Sequence, residues 1–212
     1  MDLSVFIQAS LIGVAFFAGL ISSIAGSGGI LTLPALLWAG LPPLNALATN
    51  KVQSSIGTLS SAWNFFRHGH INIKPLLPVL LMGFVGSVIG TFVVQQLDSE
   101  ILLKLIPFLL IAIAVYFLLM PKVSVANPQP KISQAWFACT AGLGLGFYGG
   151  FFGPAMGSIF PFLLVWLVAR NLVTATAETK LMILVVNGTS ALIFIAGGHV
   201  LWGLAIAMSI AQ

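Results

Sequence analysis

Residues 25–29 read Ala-Gly-Ser-Gly-Gly, and they interrupt the run 3–50, which carries no charged side chain. A straight α-helix over that whole run would measure about 72 Å, more than twice the roughly 30 Å hydrocarbon core of a bilayer. A second uncharged run, 132–169, is interrupted in the same way by Gly-Gly-Phe-Phe-Gly-Pro at residues 149–154. The sequence therefore predicts helices that break at glycine inside the membrane, where the freed backbone groups lie against protein or a wet cavity.

The composition excludes a soluble protein. Charged residues make up 6% of the 212-residue chain and hydrophobic residues 59%, whereas a soluble domain has roughly 25% charged residues. Eight Lys and Arg and four Asp and Glu are too few to cover a surface in water. The net charge of +4 comes without a basic cluster, so nucleic acid is not expected as a partner. We expect a multi-pass membrane protein whose partner is the lipid bilayer.

The uncharged runs place the helices of an all-α transmembrane bundle, without a β-strand of useful length. Full helices are predicted over 3–24, 44–66, 72–95, 100–120, 132–148 and 171–196, half-helices over 30–40 and 155–168, and the start of a further helix over 200–212. The segment 121–131 contains Asn-Pro-Gln-Pro and is the one predicted linker. Its lysines, with Arg67 and Lys74 in an earlier loop, predict that both loops are cytoplasmic.

An internal repeat relates the two halves of the chain. One constant shift in residue number aligns Gly26 with Gly153 and Pro34 with Pro161; a slightly larger shift then aligns Ala48 with Ala177, Lys51 with Lys180, and Gly69-His70 with Gly198-His199. The predicted domains are a first repeat over 1–121, a linker loop over 122–131 and a second repeat over 132–212. Two helices of the first half have no full counterpart in the second, so we expect that C-terminal helices are missing.

Two lysines lie between apolar runs, where a charged side chain is costly. Lys51 provides a positive charge for an anion in one interpretation, and in the other it reaches the headgroups from near a helix end. Lys180 mirrors it, close to Glu178, the only acid inside a predicted span. Glu178 is a candidate partner of Lys51 across the two halves. It would serve either as a titratable carboxylate that couples protons or as half of a structural ion pair.

The glycine breaks supply a second element of a binding site. A half-helix that begins after Gly28 and Gly29 presents unpaired N–H groups and the positive end of the helix dipole. Gly153 and Gly157 flank the start of the second half-helix. Two such ends that face each other would bind an oxyanion, whereas the alternative is that these glycines only allow close helix packing. No catalytic pair, metal site or cofactor motif is recognised, so an enzyme is not expected.

Residues 26–29, Pro34, residues 48–51 and the run Arg-His-Gly at 67–69 resemble the sulfite exporter TauE/SafE family of membrane permeases. The resemblance implies a protein of the bacterial inner membrane, built from two related halves. It also implies transport of sulfite, sulfonates and related anions, with Asn50 and Lys51 as the first-half candidates for the anion site.

The predicted function is secondary transport of a small sulfur-containing anion, such as sulfite or an organosulfonate, by alternating access between the halves. The predicted substrate-binding residues are Asn50, Lys51, Lys180, Gly28, Gly29, Thr49, Gly153 and Gly157, with Glu178 as the predicted proton carrier. No ATP-binding motif occurs, so the energy is expected to come from a gradient. An anion channel and a non-transporting membrane subunit or fragment stay open as alternatives, as does association into a homo-oligomer.

Overall fold

The computed structural model describes residues 4–25, 28–119 and 129–212. In chain order the helices are α1 (Val5–Ala25), α2 (Gly29–Trp38), α3 (Pro43–Arg67), α4 (Ile73–Gln95), α5 (Ser99–Leu119), α6 (Gln134–Phe137), α7 (Leu143–Phe151), α8 (Met156–Val168), α9 (Leu172–Ala196) and α10 (Trp202–Ala211). A π-helical turn over Ala138–Gly142 joins α6 to α7 without a break. No strand occurs in the described ranges, and the predicted all-α fold class is confirmed.

The observed helix ends lie within a few residues of the predicted ones, with one informative difference. The helix predicted to end at residue 148 runs on to Phe151, because Gly149 and Gly150 stay helical. Gly150 packs directly against the backbone of Ser87 in α4, so this glycine serves close packing and the chain leaves the helix only after it. Most of the predicted linker, residues 120–128, lies outside the described residues.

Helices α2 and α8 are the predicted half-helices. They have 10 and 13 residues, or about 15 and 20 Å at 1.5 Å per residue, too short to cross the hydrocarbon core. A break precedes each of them, and before α8 both Gly153 and Ala155 have positive φ angles, 103° and 67°. Left-handed backbone of this kind cannot continue a right-handed helix, so the break fixes where α8 begins.

In the part of the chain that the structure describes, four helices are long and apolar enough to cross a membrane: Val5–Ser23, Ile73–Gln95, Ser99–Leu119 and Leu172–Ala196. Helix α3 is as long as α9, at 25 residues, but its interior carries Lys51 among polar side chains. That polar part of α3 is buried inside the bundle, where it packs against α9 and α10. The chain is thus a multi-pass membrane protein with a polar interior.

Helices α4 and α7 meet along glycine. A Cβ atom built on Gly86 or Gly90 of α4 would overlap backbone atoms of α7, and one built on Gly146 of α7 would overlap the backbone of Gly83. Small residues of this kind let two helix backbones approach closely within a membrane. This contact holds the second break against α4 and so helps to position the site described below.

The helix boundaries repeat along the chain in the register of the sequence alignment. Helix α8 begins at the residue that the shift from Gly26 to Gly153 aligns with the start of α2. The shift from Lys51 to Lys180 places both ends of α3 on the ends of α9, and the start of α4 on the start of α10. The turns that follow α3 and α9 also agree, since Gly69 and Gly198 have φ angles of 71° and 72°. Two related halves account for these matches, whereas the domain limits at residues 121, 122, 131 and 132 stay a prediction.

Candidate functional site

A cavity of about 40 Å³ lies where the two breaks meet. Its walls come from both halves of the chain. The lining residues are Ser22, Gly28, Gly29, Asn50, Lys51, Ser54, Thr58, Gly153, Pro154, Ala155, Met156, Gly157, Ile183, Asn187 and Gln212. Of the predicted site residues, the cavity therefore brings together the four glycines, the asparagine and the first lysine.

The two breaks approach each other directly. A Cβ atom built on Gly29 would lie 3.7 Å from the Cα atom of Pro154 and 3.7 Å from Nδ2 of Asn50. Gly29 is the first residue of α2, and Met156 and Gly157 are the first two of α8. The first N–H groups of a helix have no partner within it, and that of Met156 donates to the Gly153 carbonyl at 3.3 Å. Both half-helices begin at the cavity wall, with the positive ends of their dipoles.

Lys51 is the central charge of this cavity. Its side chain is 1% exposed, and its Nζ donates hydrogen bonds to the carbonyl oxygen of Gly149 and to Oδ1 of Asn187, the latter at 3.1 Å. Within the described ranges no carboxylate lies within 4.0 Å of this ammonium group. At Gly153, φ is 103° and a Cβ atom would overlap Nζ of Lys51, so both the backbone and the lysine require glycine there.

Two asparagine amides in the cavity have their oxygen atoms already occupied. The hydroxyl of Thr32 donates to Oδ1 of Asn50 at 2.5 Å, and Lys51 donates to Oδ1 of Asn187. An amide has one acceptor end and one NH₂ end with two donors. Each asparagine is therefore oriented so that its NH₂ group is the end left for a ligand, and the polar lining near Lys51 is rich in donors.

Lys180 does not line the same cavity as Lys51. It is 4% exposed and donates to the carbonyl oxygen of Ser22 at 2.7 Å, and it borders a neighbouring cavity of about 90 Å³. Ser22 lines both cavities, and the shift that relates the two glycine breaks aligns it with Gly149. Each lysine thus donates to the equivalent carbonyl of the opposite half.

The expected pair between Glu178 and Lys51 is wrong. Oε1 of Glu178 lies 3.3 Å from Nε of Arg170, which comes just before α9, and the Glu178 carboxylate is 2% exposed. Residues 178 and 180 are two apart on a helix and point to different faces. The face that carries Glu178 therefore meets the segment before α9, while the face of Lys180 meets α1.

Thr49 also lies outside the cavity. It is fully buried, and its hydroxyl oxygen accepts a hydrogen bond of 3.2 Å from the backbone N–H of Leu201. It ties α3 to the segment before α10, which is a structural contact. Within the described parts of the chain, no group of three or more His, Cys, Asp and Glu side chains is placed to hold a metal ion.

Sequence reasoning did not assign three groups that the geometry makes central: the amide of Asn187, the hydroxyl of Thr32 and the carbonyl of Gly149. The repeat does contain a signal for Asn187. Asn187 aligns with Thr58 in the register that pairs the two lysines, and both are buried residues that line the cavity. A backbone carbonyl acceptor such as that of Gly149 cannot be recognised in a sequence, because every residue has a backbone carbonyl.

Comparisons with known proteins agree with this architecture. The chain is 41% identical over 202 residues to the "Probable membrane transporter protein" of Haemophilus influenzae, an alignment that covers 95% of this chain and 79% of that protein. It is 43% identical over 206 residues to the "Probable membrane transporter protein YfcA" of Escherichia coli K12, covering 95% and 77%. It is 39% identical over 211 residues to the "Probable membrane transporter protein ORF9" of a Sinorhizobium species, covering 100% and 81%.

No solved structure matches the chain significantly. The family described as "Sulfite exporter TauE/SafE" matches residues 11–212, which is nearly the whole length. The predicted family is confirmed: this chain belongs to the sulfite exporter TauE/SafE family and is a multi-pass membrane transporter.

Proposed function

We propose that the protein is a secondary transporter of a small sulfur-containing anion, such as sulfite or an organosulfonate, and that the anion binds beside Lys51. The observation that carries this proposal is a fully buried ammonium group that borders a cavity and has no carboxylate within 4.0 Å of it among the described residues. An isolated charge in a low-dielectric interior is unfavourable by several kcal/mol or more. An anion in the cavity would offset that cost, so the site is built to attract one.

The other groups around Lys51 suit an oxyanion. The NH₂ groups of Asn50 and Asn187 and the first N–H groups of α2 and α8 are donors, and sulfur oxyanions offer three or more acceptor oxygens. Helix N-termini bind such groups in many proteins, and interrupted transmembrane helices present them near the middle of a membrane. The lining therefore favours an anion over a cation or an apolar substrate.

The cavity size favours a compact anionic group. A volume of about 40 Å³ corresponds to about three water-sized groups, at roughly 10–15 Å³ for each. That is suitable for a sulfite ion or for the sulfonate end of a larger molecule whose remainder leaves the cavity. Selectivity among sulfur anions would then depend on contacts to the part of the molecule that extends beyond the sulfonate group.

A carrier accounts for the geometry better than an open pore. Lys51 and Asn50 are only 1% and 4% exposed, so these two side chains are shielded from solvent in this conformation. A shielded site between two related halves is the arrangement expected for alternating access. Glu178 stays a proposed proton carrier: its Oε2 is buried and has no hydrogen-bond partner among the described residues. The bacterial relatives support the inner membrane as the proposed location.

Replacing Lys51 by methionine tests the proposal, because methionine keeps most of the length of the side chain and removes its charge. In proteoliposomes loaded with unlabelled sulfite, we expect wild-type protein to accumulate radiolabelled sulfite by counterflow and Lys51→Met to fall to the background of empty liposomes. The control is Lys104→Met, since Lys104 has a side chain that is 73% exposed and pairs with Glu100 on its own helix. Wild-type rates in Lys51→Met would contradict the proposal, and single-channel conductance of the wild-type protein would replace the carrier by a channel.

A further inference from the structure

We propose that Asn187 sets the charge selectivity of the cavity, because it holds the Lys51 ammonium in place without cancelling its charge. This inference rests on the proposed anion site and adds to it a specificity-determining residue on the opposite half of the chain. It assigns to Asn187 two tasks: its oxygen positions the lysine, and its NH₂ group faces the bound anion.

The geometry around the ammonium group supports the first task. Lys51 reaches from α3 to α9, where Oδ1 of Asn187 accepts its hydrogen bond at 3.1 Å. Its second acceptor is the backbone carbonyl of Gly149. Both acceptors are uncharged, so the lysine is fixed from two sides without a counter-charge from either of them. Asn187 is 9% exposed and lines the same cavity as Lys51, which places the amide beside the lysine at the cavity wall.

The two charged residues of α9 have other partners, so neither of them positions the Lys51 ammonium. On α9 the only acid is Glu178, and it pairs with Arg170. Lys180 on the same helix donates to Ser22 of α1. An aspartate at position 187 would keep the shape of the asparagine, but its carboxylate would form an ion pair with Lys51. A charge pair at that distance is neutral as a unit and would repel an incoming anion through its exposed carboxylate oxygen.

The test compares Asn187→Asp with Asn187→Leu in purified protein. Thermal unfolding is followed in detergent over a series of sodium sulfite concentrations, with sodium gluconate added to keep the ionic strength constant. A ligand that binds only the folded protein raises the unfolding temperature with its concentration, which gives an apparent Kd for sulfite. We expect Asn187→Asp to unfold at the wild-type temperature or above when sulfite is absent, because a buried ion pair replaces a lone charge.

The decisive readout is the sulfite response. We expect the apparent Kd of Asn187→Asp to rise by about 100-fold or more, since placing like charges together costs several kcal/mol and each 1.4 kcal/mol is tenfold. Asn187→Leu removes one acceptor of the lysine and one donor to the anion. It should lower the unfolding temperature and raise the Kd by about tenfold, with sulfite still preferred over gluconate.

Two results would overturn the inference. One is a wild-type apparent Kd in Asn187→Asp, which would show that the asparagine is only structural. The other, which applies even where the aspartate variant does not fold, is an unchanged Kd in Asn187→Leu. Failure of the proposed function has a different signature, because the wild-type protein itself would then show no sulfite-dependent stabilisation and Lys51→Met would transport normally.

Discussion

Gly153 and Gly29 flank the cavity from its two breaks, and alanine at each position tests the site in a different way. Gly153 has a φ angle of 103°, and a Cβ atom there would overlap Nζ of Lys51. Holding a non-glycine residue in such backbone costs about 1–3 kcal/mol. Gly29 has no such φ angle, and the atoms nearest to a Cβ atom there lie 3.7 Å away, in ordinary van der Waals contact.

These differences convert into unfolding temperatures. For a chain of this size, 1 kcal/mol corresponds to roughly 2–4 °C, so we expect Gly153→Ala to unfold about 2–12 °C below wild type. Gly29→Ala should unfold between the wild-type temperature and about 4 °C above it, because alanine is favoured over glycine in a helix by up to about 1 kcal/mol. Thermal unfolding in detergent measures both values, with Gly188→Ala as a control because nothing lies within 4 Å of its Cβ position.

Sulfite binding adds a second comparison between the same variants. In Gly153→Ala the new methyl group displaces the ammonium of Lys51 and should abolish the sulfite-dependent rise in unfolding temperature. In Gly29→Ala the methyl group enters the space between Asn50 and Pro154, so binding should weaken in a protein of nearly normal stability. Equal unfolding temperatures for the two variants, or wild-type sulfite binding by Gly153→Ala, would refute the geometry assigned to the second break.

Three further predictions concern the parts that support the site. Gly86→Ala should destabilise the protein by about 1–3 kcal/mol through overpacking against α7, whereas Gly144→Ala should be neutral because its Cβ position is open; thermal unfolding distinguishes them. Arg170→Gln should lower the free energy of unfolding by about 2–3 kcal/mol, which is less than for a fully buried ion pair because the arginine side chain is 27% exposed. Glu178→Gln should lower it by less than Arg170→Gln and should also alter the pH profile of sulfite transport. Thr32→Val should raise the apparent Kd for sulfite by about tenfold. In the wild-type protein the Thr32 hydroxyl donates to Oδ1 of Asn50, and the variant leaves that oxygen without this donor.

The fold was largely predictable because its main constraints are local. Charge-free runs set the number of membrane helices, and the glycine-rich segments at 25–29 and 149–154 marked where they break. Because the two halves repeat, helix limits in one half apply to the other: the limits of α9 are those of α3 moved by the shift that relates Lys51 to Lys180. The largest difference lay at the end of α7, because the sequence does not distinguish a glycine that packs against another helix from a glycine that ends its own helix.

The contacts of the site were less predictable, because they depend on how each helix is rotated. Helix α9 is apolar on most of its surface, and buried residues occur on several of its faces. Its sequence therefore does not indicate which face meets α3, which meets α1 and which meets Arg170. That rotation decides that Lys51 pairs with Asn187 and that Glu178 pairs elsewhere, and no spacing rule along the chain specifies it.

The repeat also explains why the lysine of the first half, and not its counterpart, is the better candidate for the anion. Lys51 and Lys180 occupy equivalent positions and make equivalent bonds to carbonyl groups, so the backbone alone does not distinguish them. Their neighbours do. Asn50 precedes the first lysine and lines its cavity, whereas Thr179 precedes the second and donates its hydroxyl to a carbonyl of its own helix at 2.6 Å. The symmetric scaffold therefore surrounds its two lysines differently: asparagine amides lie beside Lys51, whereas the hydroxyl that precedes Lys180 is bonded to its own helix.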